Sequence, residues 1–157
     1  MRLSTYSDYA LRMLMYLGLK RDGLATIAEV AARYRVSKNH LMKVAYELGQ
    51  AGFVETVRGR NGGLRLARPP EEIRIGAVLR FTEADSALVG CFANTQEDPC
   101  PLVPACVLKG ALNEALQAFF ATLDDYTLAD MVKPRRSLSE LLGLPAGVKP
   151  LPAAEPV

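Results

Sequence analysis

The chain has 157 residues, of which half are hydrophobic and three are cysteines. This length suits one or two small domains, and the apolar content is sufficient for a buried core. No apolar run approaches the roughly 20 residues of a membrane span, and the N-terminus lacks a secretory pattern, so we expect a soluble cytoplasmic protein without a membrane partner.

The charge is unevenly distributed along the chain. Residues 1–68 contain twelve Lys and Arg against five Asp and Glu, whereas residues 69–157 contain seven against twelve. A basic N-terminal half is typical of proteins that bind a polyanion such as nucleic acid. Charge alone leaves open that this half is simply a solvated basic surface.

Two helices are predicted at the start of the chain. The first runs from Ser7 to Lys20, with Ser7 as its cap and Asp8 where the helix dipole favours an anion. Most of its faces are apolar, so we expect it to be covered on most sides. Thr26 and Glu29 form a capping box that opens a second helix, which ends at Tyr34.

A third helix follows a tight turn. Ser37 is its predicted cap, and Gly52 follows its end. The predicted buried stripe consists of Leu41, Val44, Ala45 and Leu48. Polar side chains remain outside and cluster at the N-terminal end of this helix.

A β-hairpin and a short helix come next. Residues 53–58 alternate as a strand, residues 59–63 are a glycine-rich turn, and residues 64–66 return as a second strand. After the boundary at Pro69 and Pro70, residues 75–82 suit a short helix.

The strongest helical pattern lies at residues 107–123. Apolar residues recur there at helical spacing, beside a ridge of small residues formed by Ala111, Ala115 and Ala118. Little chain remains to cover such a helix, so we expect a second copy to cover it in a homodimer; packing within one chain is the alternative. Short helical turns are predicted at 127–132 and 138–142.

These elements divide the chain into four predicted parts. Residues 1–84 form a winged helix-turn-helix, 85–106 a cysteine loop, 107–143 a dimerisation helix with C-terminal turns, and 144–157 a disordered tail. The predicted fold class is mainly α with a small β-hairpin wing.

The order of the N-terminal elements is that of a winged helix-turn-helix, which binds double-stranded DNA. The start of a recognition helix enters the major groove, and a basic glycine-rich tip suits a narrow minor groove. The candidate DNA contacts are Ser37, Lys38, Asn39, His40 and Lys43 on the helix, and Arg58, Arg60 and Asn61 on the wing. A helix-turn-helix used only for packing or protein contact is the alternative.

The cysteines Cys91, Cys100 and Cys106 all lie in one proline-containing loop. Three thiols on one loop suit a metal ion or an iron–sulfur cluster better than disulfide pairing, which would leave one thiol over. His40, the only histidine, lies among the candidate DNA contacts and far in sequence from these thiols. A zinc site or a bare thiol switch remains an alternative.

The wing sequence at 57–64, followed by three clustered cysteines, resembles the Rrf2 family of winged-helix repressors. The N-terminal residues 1–12 are similar to the family's N-terminus, and the segments 104–109 and 123–132 resemble its nitric-oxide-sensing branch. The resemblance covers roughly residues 1–143. It implies a homodimeric repressor, not an enzyme, that binds an operator in its cluster-bound form and releases it on reaction with nitric oxide.

The resemblance also implies the cofactor and its fourth ligand. The cofactor is an iron–sulfur cluster, 4Fe–4S or 2Fe–2S, held by Cys91, Cys100 and Cys106 together with an aspartate from the partner subunit, which matches Asp8. The alternative for Asp8 is that it only caps the first helix.

Two departures from the family's patterns stand out. The spacing between the first two cysteines is longer than the branch implies. A related branch that reports iron–sulfur or redox status has a ligand histidine three residues after the last cysteine, where this chain has Lys109. Regulation of that type is the alternative function. An enzyme is disfavoured because nothing resembles a substrate-pocket motif, and an electron carrier because it has no need of a basic wing.

Overall fold

The computed structural model describes residues 2–20, 23–84, 87–92 and 100–144. Over these ranges the chain is mainly helical, with one antiparallel hairpin, as predicted. The elements are α1 (Thr5–Leu19), α2 (Ile27–Tyr34), α3 (Lys38–Gln50), β1 (Val54–Val57), β2 (Gly63–Leu66), α4 (Ile75–Thr82), α5 (Val107–Asp124), α6 (Leu128–Met131) and α7 (Arg135–Leu141). Short 3-10 turns lie at Pro70–Glu72, Gly90–Phe92 and Val103–Ala105.

The start of α1 differs from the prediction. Ser4 is the N-cap, and its hydroxyl accepts a hydrogen bond from the Ser7 amide at 3.1 Å, so the prediction that Ser7 caps this helix is wrong. Ser7 is instead fully buried, and its hydroxyl donates to the Glu83 carboxylate. Glu83 follows α4 and also accepts from the Ser4 amide at 2.7 Å. A carboxylate distant in sequence therefore provides the anion that the N-terminus of α1 favours.

The helix-turn-helix is formed by α2 and α3. The predicted capping box of Thr26 and Glu29 is present at the start of α2. Arg35 adopts a left-handed conformation, with φ of 54°, and closes the turn between the two helices. Ser37 is the N-cap of α3 as predicted, but its side chain makes no capping hydrogen bond. The buried residues of α3 are the predicted stripe of Leu41, Val44, Ala45 and Leu48.

The hairpin of β1 and β2 forms the wing. Val54 pairs with Leu66 at one end of the ladder and Val57 pairs with Gly63 at the other. Leu64 also forms an isolated bridge with Ala25, through hydrogen bonds of 2.9 and 2.8 Å. The wing is thereby attached to the segment that precedes α2.

One core holds these elements together, and α1 lies at its centre. Its residues Ala10, Met13, Leu14 and Tyr16 are completely buried, as the apolar pattern predicted. The other core residues come from α2, α3, the wing and α4 and include Val30, Leu41, Val44, Leu48, Phe53, Leu64, Val78 and Leu79.

The segment after α5 returns to this core. The Ile75 amide bonds to the Tyr126 carbonyl at 2.9 Å, and the Leu128 amide bonds to the Ile73 carbonyl at 2.8 Å. Leu128 is fully buried and Val132 nearly so. The short helix α6, which follows α5 in the chain, therefore packs on the same core as α1 to α4.

Helix α5 itself has no buried residue in this single chain. Val107 is 85% exposed and Leu108 is 66% exposed, although both are apolar. Among the described residues, no helix has both the length and the apolar character needed to cross a bilayer. Leu144, the first residue of the predicted disordered tail, packs against the core; the other residues of the predicted tail lie outside the described part of the chain.

Candidate nucleic-acid interface and cysteine segment

The first turns of α3 present an exposed polar surface. All five candidate contacts on this helix are exposed, namely Ser37, Lys38, Asn39, His40 and Lys43. The centroid of the His40 ring lies 6.1 Å from that of the Tyr9 ring on α1, so the two rings are neighbours. The Lys43 ammonium is 3.6 Å from the Glu47 carboxylate, one turn further along the helix. Side chains in this position are the ones that reach base edges in a helix-turn-helix.

The wing carries its unpaired positive charge at the tip. Arg58, Arg60 and Asn61 are exposed there, and neither arginine forms an ion pair with a described carboxylate. Arg65, on the body of the wing, is instead bound by Glu55 through two hydrogen bonds of 2.9 and 3.1 Å. The wing thus offers two guanidinium groups to a polyanion and neutralises the third internally.

Glycines make the tip of the wing compact. Gly59 has a φ of 116°, and the Gly62 amide donates to its carbonyl at 3.0 Å. A Cβ on Gly62 would lie 2.3 Å from the Val57 carbonyl oxygen, which no side chain tolerates without a shift of the backbone. Only glycine therefore permits this turn, and the turn fixes where the arginines project.

The start of α3 and the wing border the same groove. An open groove of about 260 Å³ lies between the beginning of α2, Lys38 and the wing residues Thr56 and Gly62. Of the predicted contacts, only Lys38 lines this groove; the wing lines it through Thr56, Gly62, Gly63 and Leu64 and not through Arg58, Arg60 or Asn61. Sequence reasoning missed Thr26 and Ala28, which also line this groove. The capping box located the start of α2, but only the bridge between Ala25 and Leu64 shows that it lies beside the wing.

A network of hydrogen bonds fixes the start of α2. The Glu29 carboxylate accepts from the Tyr16 hydroxyl at 2.6 Å and from the Lys20 ammonium at 2.7 and 2.8 Å. Burial alone would raise the pKa of Glu29, but the bonds from Lys20, Tyr16 and the Thr26 amide outweigh it and hold that pKa below the ordinary value. These hydrogen bonds thus stabilise the ionised carboxylate of Glu29 in the folded chain.

The three cysteines are free thiols. Cys100 is exposed, and Cys91 and Cys106 are half-buried. Cys106 is the N-cap of α5, where its sulfur accepts a hydrogen bond from the Lys109 amide at 3.3 Å. The structure does not bring the predicted ligands together: within the described part of the chain, no three His, Cys, Asp or Glu side chains are grouped closely enough to hold a metal ion.

Asp8 lies on the first turn of α1, about half exposed. Its carboxylate is paired with the Arg12 guanidinium at 2.9 Å, on the same face of the helix. Asp8 does not cap α1 with its side chain, because Ser4 does so. By the chemistry of the donors, three unpaired thiols and one accessible carboxylate are suitable ligands for iron, and the thiols are the soft ligands that iron–sulfur clusters prefer.

The helix-turn-helix, the basic hairpin beside its second helix and the shared groove define a winged-helix DNA-binding protein. The sequence matches the Rrf2 family, described as "Iron-dependent Transcriptional regulator", over residues 3–134. The chain belongs to this family, as the resemblance predicted, and is therefore a transcriptional regulator and not an enzyme.

Its curated relatives match almost end to end. It is 51% identical over 143 residues to the HTH-type transcriptional regulator NsrR of Bacillus subtilis, covering 90% of this chain and 97% of the relative. It is 47% identical over 154 residues to Protein aau3 of Rhizobium meliloti, covering 98% and 99% of the two chains.

Solved structures share the fold. The T. potens IscR structure has a TM-score of 0.68 at 27% identity and covers 88% of this chain and 90% of that one. CymR, the global cysteine regulator of B. subtilis, has a TM-score of 0.64 at 26% identity and covers 85% and 98%. These likenesses confirm the predicted winged-helix fold class.

Proposed function

We propose that this regulator is a homodimeric repressor that binds an operator in its cluster-bound form and releases it on reaction with nitric oxide. The observation that carries the proposal is the match to NsrR along nearly the whole chain, at 51% identity. The groove shared by Lys38 and the wing supports the DNA-binding half of the proposal. Three free thiols in one segment support the sensing half. The proposed site of action is the cytoplasm, where bacterial DNA lies.

In this proposal, the two exposed groups read DNA in different ways. Asn39 and Lys38 face base edges in the major groove, where Asn pairs with adenine and Lys with guanine. Arg58 and Arg60 enter the neighbouring minor groove, whose negative potential attracts guanidinium groups. Residues 1–84 serve as the DNA-binding part, 85–106 as the cluster segment and 107–143 as the dimerisation part.

Cys91, Cys100 and Cys106 would hold an iron–sulfur cluster, either 4Fe–4S or 2Fe–2S. When bound, such a cluster supplies irons that react with nitric oxide. Asp8 of the partner subunit would complete the site, and it would exchange its Arg12 partner for iron. A carboxylate is a harder and weaker ligand than a thiolate, so the position that Asp8 occupies is the one most easily opened.

Cys106 links this segment to the dimerisation helix. Its sulfur caps the first turn of α5, so any change in what the sulfur binds acts directly on the start of that helix. Lys109 occupies the position where the related branch has a ligand histidine, and an ammonium group is not a metal ligand. This favours Asp8 as the fourth ligand and disfavours regulation of the IscR type.

The deciding experiment uses full-length protein purified without oxygen. We expect the isolated protein to absorb visible light and to contain iron and sulfide. We also expect it to select a preferred DNA duplex from a pool of random sequences. Nitric oxide should weaken binding to that duplex. Replacing any one of the three cysteines by Ala should give colourless, iron-poor protein, whereas a control change at an exposed serine, Ser137→Ala, should leave the iron content unchanged.

Three outcomes would contradict parts of the proposal. Colourless protein that contains zinc would show a zinc or thiol switch instead of a cluster. A full cluster in any single cysteine variant would exclude the three-thiolate site. If Asp8→Ala and Asp8→Asn both react with nitric oxide at the parent rate, Asp8 is not a ligand.

A further inference from the structure

The contact between α4 and α5 is centred on an ion pair between Arg80 and Asp124. The two terminal nitrogens of Arg80 donate to the two carboxylate oxygens of Asp124, at 2.7 and 2.6 Å. The same guanidinium lies over the ring of Phe120, 4.9 Å from its centroid. A two-pronged bond of this kind is directional, because both groups are planar and must lie in register.

Two further residues hold the same end of α5. Arg74 donates to the Asp124 main-chain carbonyl at 3.1 Å. Gly76, on α4, makes room for the carboxylate, since a Cβ there would lie 2.1 Å from an Asp124 oxygen and 3.0 Å from the Asp124 amide nitrogen. The C-terminal end of α5 is therefore fixed to α4 and to its N-cap Arg74 by side-chain hydrogen bonds, and by a close approach that a Cβ on Gly76 would disturb.

The rest of α5 is less constrained. No residue of this helix is fully buried in the single chain, and only Phe119, Phe120 and Leu123, near its C-terminal end, pack against the core. An open cavity of about 780 Å³ lies between Leu116 and Phe119 of α5 on one side and Leu3 and Glu83 on the other. An 18-residue helix is about 27 Å long, so a rotation of 10° about one end moves the other by about 5 Å. The end at Asp124 is thus a pivot with open space beside the helix.

We propose that Arg80, Asp124 and Gly76 form a positioning joint that sets the angle between the winged helix and α5, and thereby the distance between the two recognition helices of the dimer. This inference rests on the proposed function, because it requires a dimer joined through α5 and bound to two half-sites. Half-sites of such dimers lie about 34–36 Å apart, one turn of DNA, so a small angular error at each joint misplaces both recognition helices.

The joint is suited to positioning rather than to stabilising the fold. Arg80 and Asp124 have side chains that are 45% and 39% exposed, and exposed ion pairs contribute little to stability. Neither residue lies among the candidate DNA contacts or the candidate cluster ligands. A change at the joint should therefore alter the distance between the recognition helices without altering the base sequence that each helix binds.

The test uses Asp124→Asn, Arg80→Lys and Gly76→Ala in the full-length protein, with matched iron content. Asp124→Asn removes the charge, Arg80→Lys removes the two-pronged geometry but keeps the charge, and Gly76→Ala displaces the carboxylate without changing either partner. Glu140→Gln is the matched control, because it breaks a comparable exposed pair with Arg136 that lies within α7 alone.

The readouts are affinities for three kinds of duplex. One is selected from a random-sequence pool by the parent protein, one carries the same half-sites with two base pairs inserted or removed between them, and one carries a single half-site. We expect the three variants to lose preference for the selected spacing by about two- to fivefold, with single half-site affinity unchanged. The double variant Gly76→Ala/Asp124→Asn should be no worse than either single variant, since both act on one contact.

Each outcome decides the inference. An unchanged spacing preference in Asp124→Asn and Arg80→Lys, or an equal loss for single half-sites, overturns it, as does the same loss in Glu140→Gln. If Gly76→Ala does not fold, the other two variants carry the test. A parent protein that is monomeric in sedimentation or selects no DNA overturns the proposed function itself, and this inference with it.

Discussion

In the proposed function, individual residues contact either bases or phosphates. We propose the first role for Asn39, which is exposed near the start of α3, and the second for Arg60, which is exposed at the wing tip. The two roles have different physical signatures, because only base contacts depend on sequence and only neutralised phosphates change the salt dependence.

Asn39→Ala should reduce discrimination between the selected duplex and random DNA. A bidentate contact with adenine contributes about 1–3 kcal/mol of discrimination. Competition binding at fixed salt measures this ratio. Gln50→Ala, at the exposed far end of the same helix, is the control and should leave the ratio unchanged. Equal losses on both DNAs would show that Asn39 does not read bases.

Arg60→Ala should lower the slope of log affinity against log salt by about 0.9, because one fewer phosphate is neutralised. Titrations at several salt concentrations give the slope. Arg65→Ala is the control on the same wing, since its charge is already bound by Glu55. If both variants change the slope equally, the tip has no special role in DNA binding.

Glu29→Gln should destabilise the protein at neutral pH by about 1–2 kcal/mol, because the capping box and the bonds to Lys20 and Tyr16 are weakened. The folded-state pKa of Glu29 is below its ordinary value of 4.5, so its contribution is present above that pH and is lost as the pH falls through the folded-state pKa. Urea unfolding at neutral and acidic pH should show the difference between variant and parent shrinking with acid. A difference independent of pH would contradict this assignment.

At the scale of single elements, Gly62 is one of the glycines on which the wing depends. Gly62→Ala should disturb the turn, because its Cβ would lie 2.3 Å from the Val57 carbonyl oxygen, and overpacking of this kind costs about 1–3 kcal/mol. Amide hydrogen exchange of β1 and β2 would show the loosening. Gly110→Ala in α5 is the control: its Cβ would meet no described atom within 4 Å, and alanine favours helix. An undisturbed hairpin in Gly62→Ala would contradict the assigned turn.

Elements with local determinants were predictable from sequence. The helix at 75–82 has the predicted bounds, and the buried stripe of α3 is the one that its helical spacing indicated. The hairpin followed from alternation around a glycine-rich turn. In each case the chain itself contains the period or the turn residues that specify the element.

Features that depend on distant residues were not predictable. The sequence predicts Ser7 as the cap of α1, but no local pattern indicates that Ser7 is buried against Glu83, which leaves Ser4 as the cap. Thr26 lies beside the wing because Ala25 forms a bridge with Leu64, a contact that no local pattern predicts. The cysteine pattern predicts a shared site, but the described part of the single chain does not bring the predicted ligands together, and the proposed ligand from a partner subunit is not encoded in any spacing.

At the scale of the whole molecule, α5 should join two copies. Ala115 lies on an exposed ridge of small residues, and Ala115→Glu would place a charge in an interface that depends on close approach of two helices. We expect the variant to be monomeric in sedimentation. Gln117→Glu is the control, because at 100° per residue it lies on nearly the opposite face. A dimeric Ala115→Glu would place the interface elsewhere on the molecule.

After α5 the chain returns to the core that α1 to α4 form. The cysteine segment and α5 are therefore an insertion whose two ends are both anchored in that core. Val78 and Leu79 of α4 lie in the core before the insertion, and Leu128 and Val132 are buried after it. Residues 1–84 alone would lack Leu128 and Val132, which lie close to Gly18 of α1: a Cβ on Gly18 would be 3.6 Å from Leu128 and 3.5 Å from Val132. A protease that cuts once between α4 and α5 should therefore yield two fragments that stay associated in native conditions and separate only in denaturant.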